Sequence, residues 1–99
     1  MRRGTTPTHI FNVDVDLTLA EVIYITYKQR SRTCLEKSIA DLAITADKLE
    51  CTLTQEETLR LNAKLPVEIQ IRARFPDGSA VASGIIEIPA EAILKEGVI

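Results

Sequence analysis

Apolar and polar residues alternate along the first stretch of the chain. In His9–Leu17, Phe11, Val13, Val15 and Leu17 fall on one side and Asn12, Asp14 and Asp16 on the other. A period of two predicts a strand with one buried and one wet face. Glu21–Lys28 is apolar at nearly every position, as a more central strand would be. Gln29-Arg30-Ser31-Arg32 is a polar break of hairpin length, and Thr33–Lys37 is its returning arm. Ile39–Ile44 reads equally as a short helical turn or an irregular strand. After the turn-like Ala46-Asp47-Lys48, alternation resumes, with Leu49, Cys51 and Leu53 pointing inward.

Thr54-Gln55-Glu56-Glu57 matches a capping box, Thr at the N-cap and Glu three residues on, and predicts one helical turn through Leu59. The clearest strand follows Pro66. Val67, Ile69, Ile71, Ala73 and Phe75 face one way, and Glu68, Gln70, Arg72 and Arg74 the other. Pro76-Asp77-Gly78-Ser79 is a turn, because Pro fixes φ and Gly accepts positive φ. Ala80–Ile88 returns as a strand with Gly84 as a bulge, and Glu91–Ile99 is a short helix or a last edge strand. The sum is an all-β, antiparallel, immunoglobulin-like β-sandwich of six or seven strands with a short helical turn, since no helix is long enough for parallel crossovers. The expected organisation is an N-terminal arm over 1–8, the sandwich over 9–90 and a tail over 91–99.

Composition narrows the function classes. Ninety-nine residues make one domain, and with two Phe, two Tyr and no Trp the core must come from Ile, Val, Leu and Ala. The formal charge of -2 argues against nucleic acid as the main partner. No apolar run approaches the roughly 18 residues of a membrane span, and Met1–Thr8 has two arginines without an apolar run behind them. Synthesis in the cytoplasm, with Cys34 and Cys51 as reduced thiols, is the expectation.

No catalytic centre emerges. His9 is the one histidine, and nothing places Cys34 or Cys51 beside it as a nucleophile pair requires. The four glycines do not cluster into a phosphate loop, and two cysteines and one histidine cannot supply a four-ligand zinc site. The expectation is therefore no enzyme, no cofactor and no metal. Asn12, Asp14 and Asp16 share a strand face and invite a calcium reading, but one extended strand splays its ligands, and a solvated, edge-protecting face is the plainer account. Candidate interface residues are Arg72 and Arg74, which could meet Asp14 and Asp16 across the sheet or a partner's carboxylates; Lys28, Arg30 and Arg32 around the hairpin tip; and Val98 and Ile99 at the apolar end. Both termini could fold back, fray or pack on a neighbouring subunit. A carbohydrate-binding module is the alternative, with Tyr24 or Tyr27, on opposite strand faces, as the exposed aromatic.

The runs Arg2–His9, Ile23–Gln29, Leu53–Leu59, Ile69–Gly78 and Ile93–Ile99 together resemble a family of small prophage-encoded proteins. In layout these are similar to immunoglobulin-like domains of tailed-phage virions, such as the N-terminal domain of baseplate upper proteins. The resemblance implies a structural or accessory role in a phage particle, with other phage structural proteins or further copies of itself as partners and no chemistry of its own. The chain departs from the pattern at Gln29–Arg32, where an Asn-Gly or Gly-Gly pair would be usual, and at Cys34 and Cys51, where larger apolar residues would be.

Overall fold

The computed structural model of the protein describes residues 1–99. In chain order its elements are β1 (Thr8–Asn12), β2 (Val22–Gln29), β3 (Arg32–Ser38), β4 (Leu42–Ile44), β5 (Lys48–Thr52), α1 (Gln55–Leu59), β6 (Val67–Arg74), β7 (Ala80–Ala82) and β8 (Ile86–Ile88). One sheet has the order β1-β5-β4; the other runs β3-β2-β6, with β7 and β8 both paired to the far side of β6. Every pairing is antiparallel. The all-β antiparallel class expected from alternation is what the chain adopts.

One core lies between the sheets. Ile23, Ile25 and Tyr27 of β2, Leu35 of β3 and Val67, Ile69, Ile71 and Ala73 of β6 meet Phe11 of β1 and Leu49 and Cys51 of β5. These are the alternate residues of each strand, so the period of two in the sequence is the inside–outside alternation of the pleat. β2 is a central strand, flanked by β3 and β6, with Ile23, Ile25 and Tyr27 inward and Tyr24 and Lys28 exposed on its outer face.

Three expectations are corrected, and one open alternative is resolved. The first strand ends at Asn12, not Leu17: the Asp16 carboxylate accepts from the Thr18 N–H at 3.0 Å and caps a 3-10 turn over Leu17–Leu19. Asp14 and Asp16 therefore do not share a strand face with Asn12, and Val15 is exposed. Ile39–Ile44 is both things it resembled, a 3-10 turn over Ile39–Asp41 and then β4. Ala80–Ile88 is two strands: four residue steps from Ala82 to Ile86 oppose three from Arg72 to Ile69. That extra residue is a bulge at Gly84, where Ser83 satisfies β6 by accepting from Ile71 N–H through its hydroxyl and from Gln70 through its carbonyl. Splitting this run and adding β4 raises the strand number above six or seven. Finally, 91–99 is neither helix nor strand.

The arm and the tail hold each other. Arg2 and Glu91 form a parallel bridge, Met1 N donates to Pro89 O at 2.6 Å, and Arg2 pairs with Glu91 at 2.8 Å. Arg3 reaches across to accepting carbonyls of Leu61 (2.7 Å) and Leu59 (3.0 Å) at the end of α1, and to Glu96 at 2.7 Å. Gly4, at φ +71°, lets the arm pass so closely that a Cβ there would lie 2.9 Å from Ile93 Cδ1.

The capping box is formed as the sequence predicted. Thr54 Oγ1 accepts from Glu57 N–H at 3.1 Å, and the Glu57 carboxylate accepts from Thr54 N–H at 2.9 Å. Glu57 also pairs with Lys37 of β3 at 2.7 Å, which ties α1 to the edge of the larger sheet. Burial pushes the Glu57 carboxyl up, but the Lys37 ammonium and the Thr54 N–H outweigh it and hold it below its ordinary 4.5. A lowered acid pKa gives stability that is present above pH 4.5 and is lost as pH falls through the folded value. Glu57→Ala is expected to cost about 1–3 kcal/mol at neutral pH, with a flatter acid limb in melts from pH 7 to pH 3. An acid limb identical to that of the unaltered protein would refute this.

Candidate functional site

The hairpin joining β2 and β3 turns on Arg30 and Ser31, with φ of 49° and 64°. Two successive positive φ values are the signature of a type I′ turn, whose twist suits adjacent strands. The chain takes it without Asn or Gly, so the departure noted at Gln29–Arg32 alters the exposed side chains and leaves the turn class intact.

Beneath this tip lies Gln29, 5% exposed, with every amide valence engaged. Its Nε2 donates to Asn62 O at 2.8 Å and Leu65 O at 3.0 Å, and its Oε1 accepts from Asn62 N–H at 2.9 Å. The Cys34 thiol donates to the same oxygen at 3.6 Å. The 60–66 loop is closed on itself too, with Leu65 N–H donating to Asn62 O at 3.2 Å and Lys64 N–H to Asn62 Oδ1 at 2.9 Å. One buried amide thus fixes two loops that are far apart in sequence into a single surface.

That surface is basic. Arg30 and Arg32 on the hairpin and Arg60 and Lys64 on the other loop are all exposed, and none is in an ion pair. Neither loop, 29–34 or 60–66, contains an acidic residue. The overall charge of -2 concealed this local excess. Arg32, Arg60, Thr33, Cys34, Asn62 and Gln29 line a recess of about 230 Å³ between the loops.

The other candidate interface residues do not join it. Lys28 projects from the outer face of the larger sheet, in register with Glu68. Arg72 and Arg74 stand at the opposite end of that face, and Arg74 pairs with Glu21 at 2.9 Å instead of with Asp14 or Asp16. Arg72 is in register with Tyr24, which is 44% exposed, whereas Tyr27 is wholly buried. Val98 and Ile99 are exposed, and Ile99 exchanges hydrogen bonds with the Gln55 side chain at 2.9 and 3.3 Å. Arg60 and Lys64 were missed from sequence because tertiary structure brings them to the hairpin, through the β2–β6 ladder and the Gln29 side chain, and a lone glutamine at a strand end announces nothing.

Tyr27 OH shares a 2.7 Å hydrogen bond with His9 Nδ1 inside the sandwich. Burial drives the tyrosine pKa up and the histidine pKa down, so both are held neutral. Burial likewise raises the Cys51 thiol. Both cysteines are free. Tyr27 and Cys51 are core residues, and the half-buried His9 holds the tyrosine hydroxyl. An apolar groove of about 390 Å³, lined by Ile10, Val15, Val81 and Ile86 among others, lies between the end of β1 and β7–β8. No helix is long and apolar enough to cross a membrane.

No family model, curated protein or solved structure matches the chain.

Proposed function

We propose that this protein is a structural or accessory component of a tailed-phage particle that works by contact and not by catalysis, docking through its basic platform onto an acidic surface of another virion protein. The observation that carries the docking is the set of four unpaired cations, Arg30, Arg32, Arg60 and Lys64, fixed on two loops by a fully bonded buried glutamine. Flexible surface charges add little to binding, but charges on a rigid frame orient a partner and speed encounter. The phage assignment is supported by the resemblance to small prophage-encoded proteins, and the finer likeness to immunoglobulin domains belongs to the same proposal.

The test is incorporation into particles. A chain carrying R30S, R32S and R60S is expected to fold normally by circular dichroism, since these side chains make no bond within the domain. It is expected to fall at least tenfold in particles purified after prophage induction. Undiminished incorporation would overturn docking by this surface.

Exposed Tyr24 beside Arg72 and Glu36, in a shallow groove on the outer sheet face, favours a second reading as a carbohydrate-binding module. A glycan screen whose hits vanish with Tyr24→Ala would support it, and a screen without hits would remove it.

A further inference from the structure

The recess between the two loops is rich in donors and poor in acceptors. The Arg32 and Arg60 guanidiniums, the Asn62 side-chain amide and the Thr33 hydroxyl all line it. No acidic residue does. Two lining residues carry side-chain carbonyls, and neither oxygen is free: Gln29 Oε1 is occupied by the Asn62 N–H and the Cys34 thiol. Asn62 Oδ1 is turned to the Lys64 N–H at 2.9 Å, which leaves the Asn62 NH2 as the free end of that amide. Donors without protein acceptors, on backbone that is held, are the complement of a group with several lone pairs and negative charge.

We propose that this recess is an oxyanion-binding site, with Arg32 and Arg60 as its charged walls and Asn62 and Thr33 as its neutral donors. The geometry favours a group bound by hydrogen bonds over diffuse charge attraction, because the walls come from two loops that Gln29 locks in register. Arg30 and Lys64 lie outside the recess lining and contribute attraction at longer range. The oxyanion has two sources of the same chemistry, a free phosphate-like ion or a carboxylate carried by a partner. The second source rests on the docking reading above, while the site itself stands without it.

The experiment is titration of the full-length protein, followed by amide nuclear magnetic resonance, with inorganic phosphate in one arm and a short capped Asp/Glu peptide in the other. Saturable shifts centred on the Asn62 and Gln29 side-chain amides and the Thr33 backbone are expected. R32Q and R60Q are each expected to weaken binding about tenfold, roughly one charge-assisted bond apiece. Retained Gln29 side-chain signals in these variants show that the loops remain joined. Phosphate binding with a silent peptide assigns the site to a free ion, and tighter peptide binding assigns it to a partner's carboxylate. No saturable shift with either probe, or shifts indifferent to R32Q and R60Q, overturns the site. That failure leaves the particle-incorporation result to be judged separately.

Discussion

Tyr27→Ala is expected to leave the chain largely unfolded at 37 °C. Tyr27 is the largest wholly buried side chain, at 0% exposed, and it sits where β2, flanked by β3 and β6, faces β5. Truncating a buried aromatic costs about 3–5 kcal/mol, part lost transfer energy and part unfilled cavity. Here the loss also strips His9 Nδ1 of its 2.7 Å partner inside the sandwich. A domain of this size has about 5–15 kcal/mol in total, so the variant retains little margin. Tyr27→Phe separates the two effects. It keeps the packing and loses only the hydrogen bond, for an expected cost of about 1–2 kcal/mol. Urea melts of the two variants check this, and equal costs for Phe and Ala would show that the hydrogen bond dominates the packing.

The second large effect is expected at Gln29. Gln29→Ala removes both Nε2 donors and the Oε1 acceptor at once, leaving the Asn62 N–H and Leu65 O without their partner and Asn62 O with only the Leu65 N–H. A buried polar group left unpaired costs about 1–3 kcal/mol, and water entering the gap recovers some of it, so the expected loss is about 2–4 kcal/mol. In a domain of this length that lowers Tm by roughly 10–25 °C. Hydrogen exchange gives the sharper readout. Protection should fall first in 60–66 and at the hairpin tip, with the β2–β6 ladder unaffected until global unfolding. A uniform loss across the sheet would show that Gln29 is an ordinary core residue and not a fastener between loops.

The fold was legible where one face of a strand is buried, because pleating converts inside and outside into a period of two. β5 and β6 could be read residue by residue, β2 only as a central strand from its continuous apolar run, and the capping box placed α1 to its first residue. Legibility failed where alternation continued past the end of a strand. Val13, Val15 and Leu17 keep the period, yet the Asp16 cap redirects the chain, and Leu17 is buried from a 3-10 turn. At Ala80–Ile88 Gly84 marked the bulge in the sequence, and what was missed is that the extra residue divides the run into two short strands on β6. The candidate site was half legible. Arg30 and Arg32 stood out as a charged turn, but Arg60 and Lys64 join them only through tertiary structure, the β2–β6 ladder and the Gln29 hydrogen bonds. Val98, Ile99, Arg72 and Arg74 were singled out for exposure or alignment alone, and the fold places them away from that surface.

The measurement that tests the functional account most directly is quantitative mass spectrometry of purified phage particles from the strain that encodes this chain. A fixed copy number per particle, constant between preparations and resistant to moderate salt, is the predicted result. Absence of the chain from intact particles, with the protein abundant in the lysate, would contradict it.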